Sequence, residues 1–252
     1  MRLSISRIKL FKSCRRAYEL KYVEGLEPVE KAESLQTGLS YHEKLEQLYQ
    51  DGAFDIDMTK ESAMACAYMK YIYPEFKCKA VEEWCEYSLM TGDTLVGRVD
   101  GIAEDGRLVE HKTTSSEITD EYEYNLQWDE QLLAYMLMTG AREMYYTVCR
   151  KPTIRKKKGE SDDEFFDRMV EWYDDDIDSK IRLIRVSRTD AEVEKFMDEV
   201  EKMAREINQT DHFYRNANYC KCWGRRCEYA PICLHYDPDQ EYVEFTRLKR
   251  GE

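Results

Sequence analysis

A run of three short extended segments, punctuated by tight turns, constrains the fold of this chain most strongly. The segments are Trp84–Met90, Leu95–Ala103 and Arg107–Lys112, and the turns are Gly92–Asp93 and Asp105–Gly106. Gly paired with Asp is typical of the tight turns that join neighbouring antiparallel strands. We therefore predict an antiparallel meander in the middle of the chain, which excludes an all-helical fold.

Three charged residues of this meander should meet at one point. Residues two apart on a strand face the same side, so Glu110 and Lys112 should project together. The turn before them should bring Asp100 close to Glu110. Two carboxylates supply the hard oxygen ligands that Mg²⁺ or Mn²⁺ prefers, and the backbone carbonyl of His111 is a candidate for a further ligand. An ammonium group beside such an ion suits hydrolysis of a phosphodiester bond.

The segments around the meander predict an α/β fold. Strands followed by helices that cross back over a sheet give an α/β core with a mixed sheet, flanked by helices. Apolar residues at three- and four-residue steps, together with capping patterns, indicate helices, whereas alternating residues indicate strands. The helices are predicted at Thr37–Gln50, Thr59–Met69, Leu126–Met138 and Asp162–Tyr173 and after Thr189, and the strands at Met144–Cys149 and Lys180–Val186.

Composition narrows the classes of function. With 252 residues and a net charge of −13, the chain does not have the charge of a protein that coats nucleic acid non-specifically. Local basic groups, namely Arg15, Arg16, Lys21 and Lys156–Lys158, are candidates for contacts with phosphate. Neither a signal peptide nor a run of eighteen apolar residues is present, so we expect a cytoplasmic protein without a membrane partner.

The distribution of the nine cysteines predicts a metal or cluster site. Cys220, Cys222, Cys227 and Cys233 lie within fourteen residues, and Cys14 lies near the other end of the chain. A reducing compartment disfavours disulfides, and thiolates suit both iron–sulfur clusters and tetrahedral zinc, so the spacing alone leaves both open. The other four cysteines are expected to be buried as small apolar residues, at Cys66, Cys78, Cys85 and Cys149.

The order of the polar motifs resembles the RecB-like branch of the PD-(D/E)XK nucleases. The motifs are Gly-x-x-x-His ending at His42, Gly-x-x-Asp ending at Asp100, Glu110-x-Lys112, and Gln131-x-x-x-Tyr135. The resemblance implies a restriction-endonuclease-like core over residues 1–210. It also implies that His42, Asp100 and Glu110 bind the metal and that Lys112 is catalytic. Gln131 and Tyr135 would lie beside the site and contact DNA or the lysine.

The cysteines extend this resemblance to the iron–sulfur nucleases of the superfamily, which include AddB-type helicase–nucleases, CRISPR-associated exonucleases and phage relatives. In these proteins one cysteine before the core and three after it hold a [4Fe–4S] cluster that staples the chain ends together. The resemblance implies Cys14, Cys227 and Cys233 as ligands, with Cys220 as the fourth and Cys222 as its alternative. Residues 211–252 would then form a C-terminal region that closes on Cys14.

The function that the resemblance implies is hydrolysis of DNA by a Mg²⁺- or Mn²⁺-dependent nuclease, as an exonuclease on single strands or DNA ends. The direction of degradation stays open. The alternative is a catalytically silent subunit that binds DNA ends as a scaffold in a recombination or CRISPR-adaptation complex, for which the acidic surface would suit a protein partner. A zinc-stabilised adaptor without a role on DNA is the third possibility.

Overall fold

The computed structural model describes residues 1–29, 33–224, 226–234 and 245–247. The chain forms two compact units, each assembled from segments that are distant in sequence. The first unit comprises Met1–Ala32, Tyr87–Val96 and Met197–Glu252, and the second comprises Glu33–Glu86 and Gly97–Phe196. The sequence analysis instead divided the chain at residue 210, between the motifs of the core and the cysteine-rich C-terminal region. That division stays a prediction.

The second unit is built on a mixed sheet, as predicted. Its strands are β3 (Cys78–Ser88), β4 (Thr94–Ala103), β5 (Leu108–Thr114), β6 (Glu143–Arg150) and β7 (Ile181–Ser187), of which β3 and β4 continue into the first unit. Strand β5 pairs antiparallel with β4 and parallel with β6, and β6 pairs antiparallel with β7. Strand β3 pairs with β4 on the side away from β5. The meander of the sequence prediction is thus β3–β4–β5, although β3 begins six residues before the predicted start at Trp84.

Alternating side chains of the sheet pack against helices on both of its faces. Tyr145 and Cys149 of β6 face a core made with α3 (Glu33–Asp51) and α4 (Lys60–Tyr71). Tyr146 of β6 faces the opposite core, which includes α6 (Glu130–Thr139). This two-fold alternation is the ordinary geometry of a strand. It explains why β6 is buried on both faces and reads as an almost continuous apolar run.

The remaining helices of the sheet unit begin at residues that the sequence marks. Ser161 forms a capping box with Glu164 at the start of α7 (Asp162–Glu171), and Thr119 caps α5 (Asp120–Asn125). At the start of α8 (Asp190–Gln209), the Glu192 carboxylate accepts hydrogen bonds from the Thr189 hydroxyl and backbone N–H. Such caps supply partners for backbone N–H groups that have none within the helix. None of the helices in the described residues is both long and apolar enough to cross a membrane.

Apart from the ends of β3 and β4 and residues Met197–Gln209 of α8, the first unit is assembled from short elements. They are β1 (Arg2–Leu3), α1 (Ile5–Ser13), α2 (Arg15–Tyr18), a π-helical turn over Glu19–Val23, β2 (Leu26–Pro28), a 3-10 helix over Tyr219–Gly224, α9 (Ala230–Leu234) and β8 (Phe245–Arg247). Strand β2 pairs antiparallel with β8, and β1 pairs in parallel with Thr94 and Leu95. A small apolar core that includes Leu20, Tyr229 and Ile232 holds the unit together.

Candidate active site

Asp100 and Glu110 lie on neighbouring strands at the point where the strands separate. Gly101 is paired with Val109, and continuing this antiparallel register by one residue places Asp100 opposite Glu110. At this point the His111 backbone N–H donates a hydrogen bond to Asp100 Oδ2 at 2.7 Å. A backbone amide therefore orients the Asp100 carboxylate, and this contact needs no bound ion.

Glu110 and Lys112 project from β5 to the same face, as the two-residue spacing predicts. The Lys112 ammonium donates to Glu110 Oε1 and, at 3.0 Å, to Gln131 Oε1. The Glu110 side chain is almost completely buried, whereas 31% of the Lys112 side chain is exposed. The lysine thus links the buried carboxylate to solvent.

Gln131 and Tyr135 continue this chain of hydrogen bonds. Gln131 Nε2 donates to the Tyr135 hydroxyl at 2.7 Å, and that hydroxyl donates to the Arg98 carbonyl at 2.8 Å. Gly97 makes the approach possible, because a Cβ at this position would lie 2.9 Å from the Tyr135 ring. The helix α6 is therefore tied to β4 at one end of the chain of hydrogen bonds and to Lys112 at the other.

The start of α6 differs from the sequence prediction of one helix over Leu126–Met138. A 3-10 turn over Leu126–Trp128 ends at Asp129, where the backbone is extended, and α6 begins at Glu130. The Asp129 side chain caps the new helix by accepting a hydrogen bond from the Gln131 backbone N–H at 3.0 Å. The prediction of a continuous helix was wrong because apolar periodicity extends through the break, whereas a local side-chain cap determines where the helix starts.

His42 approaches Asp100 from α3. Its Nδ1 lies 3.4 Å from Asp100 Oδ1, and its side chain is 27% exposed. Burial acts to lower the pKa of this imidazole, but the hydrogen bond and charge of Asp100 outweigh it, so the pKa of His42 is raised. The histidine of the sequence motif is thus in contact with one of the two predicted acidic ligands.

Glu82 is the residue of this site that the sequence analysis missed. It lies in β3, and its carboxylate forms an ion pair with Arg98 of β4. Its backbone has a positive φ of 55°, which is uncommon for a residue with a side chain. Such conformations cost about 1–3 kcal/mol and persist where the surrounding structure holds them. Positive φ at a residue other than glycine has no signal in the sequence, so no motif indicated Glu82.

The two acids at the strand pair have opposite electrostatic environments. Burial, with the neighbouring charge of Asp100, raises the pKa of Glu110. Burial also acts to raise the pKa of Asp100, but the contacts with His42 and His111 outweigh it and lower that pKa. Glu110 Oε2 has no hydrogen-bond partner among the described residues although it is buried. A buried carboxylate oxygen without a donor is costly unless a cation binds there.

The His111 side chain lies outside this constellation. Its ring is buried on the opposite face of the sheet, where Nδ1 forms a hydrogen bond with Thr147 Oγ1 at 2.7 Å and the ring stacks on Tyr49. Burial lowers the pKa of this imidazole to about 3, so the ring is neutral. Its backbone N–H is directed toward Asp100, and its ring meets that of His42 edge-on, with the ring centroids 6.1 Å apart. The predicted role of its carbonyl as a ligand stays a prediction.

The donors at this point suit a divalent cation. Ligand atoms of His42, Glu82 and Asp100 all lie within 4.8 Å of one another, and Glu110 contributes the buried oxygen that has no described partner. Carboxylates and an imidazole are the ligand types that Mg²⁺ and Mn²⁺ accept. The residues therefore fit a divalent metal ion.

A second group of residues gathers in the first unit, where four cysteines share one neighbourhood. Cys14, Cys227 and Cys233 belong to the same apolar cluster, and the Cys227 backbone N–H donates to the Cys220 carbonyl at 3.2 Å. Burial raises the pKa of Cys227 to about 11, and the charges of Cys14, Cys220 and Cys233 act in the same direction. The side chain of Cys222 lies outside the described residues.

The other cysteines divide into two groups. Cys149 is fully buried as expected, whereas Cys66, Cys78 and Cys85 are only half-buried. The expectation of burial holds only in part for these three, since each packs against an apolar core but remains partly exposed.

Most cations that the sequence analysis assigned to phosphate contacts are already paired with carboxylates. Arg15 pairs with Glu206, Lys21 lies 3.8 Å from Glu27, and Lys156 lies 2.5 Å from Asp162. Arg16 likewise contacts two glutamates, Glu19 and Glu24. These pairs lower the net positive charge available to DNA at those positions.

The chain is similar to known nucleases by sequence profile and by fold. The model of the PD-(D/E)XK nuclease superfamily matches residues 2–70 and 53–234. A candidate exonuclease from Eubacterium rectale shares the fold with a TM-score of 0.55 at 16% identity, over 95% of this chain and 90% of that one. No curated protein matches the chain with statistical significance.

Two further solved structures have lower similarity. A phage-related exonuclease from Haemophilus somnus 129PT gives a TM-score of 0.37 at 15% identity, over 75% of this chain and 90% of that one. The alkaline exonuclease LHK-Exo from Laribacter hongkongensis gives 0.36 at 14% identity, over 82% of this chain and 90% of that one. The family match covers most of the chain and includes all the polar motifs of the strand pair, so the chain belongs to the PD-(D/E)XK nuclease superfamily.

Proposed function

We propose that this chain is a Mg²⁺- or Mn²⁺-dependent deoxyribonuclease that hydrolyses phosphodiester bonds as an exonuclease on single strands or DNA ends. The observation that carries this proposal is the position of the Lys112 ammonium, which is hydrogen-bonded to both Glu110 and Gln131 beside the Asp100 carboxylate. Two carboxylates and one ammonium at a single strand pair are the groups that metal-assisted hydrolysis of a phosphodiester requires.

The residues of the site have different roles in the proposed reaction. His42, Asp100 and Glu110, with the His111 carbonyl, would hold the ion, which when bound polarises the phosphoryl group and lowers the pKa of a water molecule. Burial acts to lower the pKa of Lys112, but Glu110 raises it, so this group is a cation at neutral pH. Its charge offsets the negative charge that develops on the phosphoryl oxygens.

Gln131 and Tyr135 keep the lysine in place. Lys112 has a long flexible side chain, and positions of reacting groups must be held closely for efficient catalysis. The hydrogen bonds from Arg98 through Tyr135 and Gln131 to Lys112 supply this restraint. We assign Gln131 and Tyr135 to the positioning of Lys112 and to contacts with DNA at the mouth of the site.

A [4Fe–4S] cluster held by Cys14, Cys220, Cys227 and Cys233 is the second part of the proposal, with residues 211–252 closing on Cys14. The shared neighbourhood of these thiols supports it. The preference for a cluster over zinc rests on the resemblance to the iron–sulfur nucleases, since four thiolates suit either metal group. Cys222 remains the alternative to Cys220.

The cellular setting follows from these assignments. We place the protein in the cytoplasm, where a reducing environment keeps thiols available for a cluster. DNA is the substrate, and the net charge of −13 suits association with a protein partner in a recombination or CRISPR-adaptation complex.

The proposal is tested by cleavage assays on protein purified without oxygen. Labelled single- and double-stranded DNA is incubated with Mg²⁺, Mn²⁺ or EDTA, and Lys112→Ala and Asp100→Ala are compared with Asp120→Ala, which changes a fully exposed carboxylate. We expect cleavage that EDTA abolishes and that falls at least about 10²-fold in the first two variants only, as for loss of a group that stabilises the transition state. A brown protein that binds DNA but cuts it with neither metal would instead establish the scaffold function.

A further inference from the structure

We propose that Glu82 is a ligand of the divalent ion, that Arg98 holds it in the ion-free protein, and that ion binding releases Arg98 to a DNA phosphate. The inference rests on the proposed metal-dependent nuclease function and assigns two residues that the sequence motifs do not include. It predicts that metal binding and DNA binding strengthen each other through a single ion pair.

The distances suit a shared ion. The ligand atoms of His42, Glu82 and Asp100 lie within 4.8 Å of one another. Ligands on opposite sides of a Mg²⁺ ion are about 4.2 Å apart, because each bond is about 2.1 Å long. Small side-chain rotations would therefore close the three groups on one ion. The buried Glu110 oxygen, which has no hydrogen-bond partner among the described residues, is suited to a cation in the same neighbourhood.

The backbone of β3 turns Glu82 toward this point. Half-buried and exposed residues alternate up to Ala80, but Val81 and Glu82 are then both half-buried, and two exposed residues follow before the alternation resumes at Cys85. Such a break is typical of a β-bulge, which redirects a side chain and is common beside active sites. The positive φ of Glu82 lies within this irregular stretch.

Arg98 is placed to exchange partners. Its side chain is 51% exposed, whereas that of its partner Glu82 is 16% exposed, so the guanidinium can move into solvent while the carboxylate stays inside. Its backbone is held by the hydrogen bond from Tyr135 to its carbonyl. An ion bound to the Glu82 carboxylate would replace the Arg98 guanidinium as the partner of that carboxylate and would repel the guanidinium. A released guanidinium two residues from Asp100 is suited to a phosphate, which arginine binds with two parallel hydrogen bonds.

Binding of Mn²⁺ to the full-length, cluster-loaded protein tests the first half of this inference. The loss of the free-ion electron paramagnetic resonance signal is measured for wild type, Glu82→Gln, Arg98→Gln and Glu83→Gln, whose exposed carboxylate on the next residue is the matched control. We expect Glu82→Gln to weaken Mn²⁺ binding at least tenfold and Arg98→Gln to tighten it several-fold, because a competing cation is removed. Glu83→Gln should bind as wild type does.

Three results would overturn it. Glu82→Gln could bind Mn²⁺ as tightly as Glu83→Gln, which would exclude Glu82 as a ligand. Arg98→Gln could weaken binding as much as Glu82→Gln, which would make the ion pair merely structural. Wild type could bind no Mn²⁺ at millimolar concentration, which would exclude a divalent ion at this site.

Anisotropy of a labelled single-stranded oligonucleotide tests the second half. With Lys112→Ala as the background to prevent cleavage, Mn²⁺ should tighten DNA binding, and adding Arg98→Gln should reduce that gain several-fold. An equal gain in both proteins would contradict release of Arg98 to phosphate. If wild type binds Mn²⁺ but does not cut DNA, only the nuclease proposal is refuted. If wild type cuts DNA and Glu82→Gln binds Mn²⁺ as wild type does, only this inference is refuted.

Discussion

The carboxylate site of the second unit and the cysteine site of the first are held by different kinds of structure. Asp100 and Glu110 lie on long paired strands, and hydrogen bonds fix Asp100 and Lys112 before any ion binds. Cys14 lies between two short helices, and Cys227 and Cys233 lie in or next to the five-residue helix α9. Their apolar core is also smaller than those that flank the sheet.

This difference indicates which of the two sites needs its proposed inorganic group in order to stay folded. A sheet buried on both faces orients its side chains whether or not a metal is present. Short helices are marginal by themselves and need other contacts to persist. We therefore expect loss of the proposed catalytic ion to abolish activity with little change in fold, whereas loss of the proposed cluster should destabilise the first unit.

The largest effect is expected from the cysteine site. Cys227→Ser should remove the visible absorbance of the proposed cluster and lower Tm by several degrees, since structural metal groups contribute directly to folding free energy. Spectra and thermal unfolding of the variant are compared with those of Cys66→Ser, a half-buried cysteine of the other unit. Retention of colour and Tm in Cys227→Ser would show that this thiol is not a ligand.

A smaller effect should follow at the carboxylate site when only its positioning is disturbed. Tyr135→Phe removes the hydroxyl that joins Gln131 to the Arg98 carbonyl, so Lys112 loses an indirect restraint. We expect kcat to fall about tenfold, with a loss of about 1–2 kcal/mol in stability for two hydrogen bonds. Single-turnover cleavage measures the effect, and Tyr71→Phe, which removes an exposed hydrogen bond to Asp174, is the control. Equal rates for the two variants would exclude the positioning role.

The smallest effect concerns the local start of α6. Asp129→Ala removes the side-chain cap over Gln131, and loss of such a cap costs about 1 kcal/mol. For a chain of this size that corresponds to a decrease in Tm of about 2–4 °C. Differential scanning calorimetry would measure it, and Asp129→Asn should recover most of the loss because asparagine also caps helices. A Tm unchanged in Asp129→Ala would show that packing alone sets the helix start.

Much of the fold and of the site could be predicted from local regularities. The two-residue period of a strand places Glu110 beside Lys112, and the four-residue spacing on a helix places Gln131 beside Tyr135. The Asp105–Gly106 turn sets the register that brings Asp100 opposite Glu110. Each of these features depends on the regular geometry of a few neighbouring residues, so the spacing of those residues in the sequence is enough to predict it.

Other features depend on contacts between distant segments. The helix breaks at Asp129 although the apolar pattern of the sequence continues through this residue. The His111 ring is buried because α3 and α4 cover this face of β5. Neither has a periodic signal. The pairing of the Arg15 and Lys156 cations with carboxylates was equally invisible, because nothing in a sequence indicates which exposed charges will meet.

The sequence by itself therefore determined the donor types of this protein: two acids and a lysine on adjacent strands, a histidine on a preceding helix, and cysteines near both ends. Only the tertiary structure decided that Glu82 lies near them. One of its carboxylate oxygens is within 4.8 Å of ligand atoms of His42 and Asp100, and its backbone has a positive φ. The surrounding fold must hold such a conformation against its intrinsic cost, so the local sequence cannot indicate it.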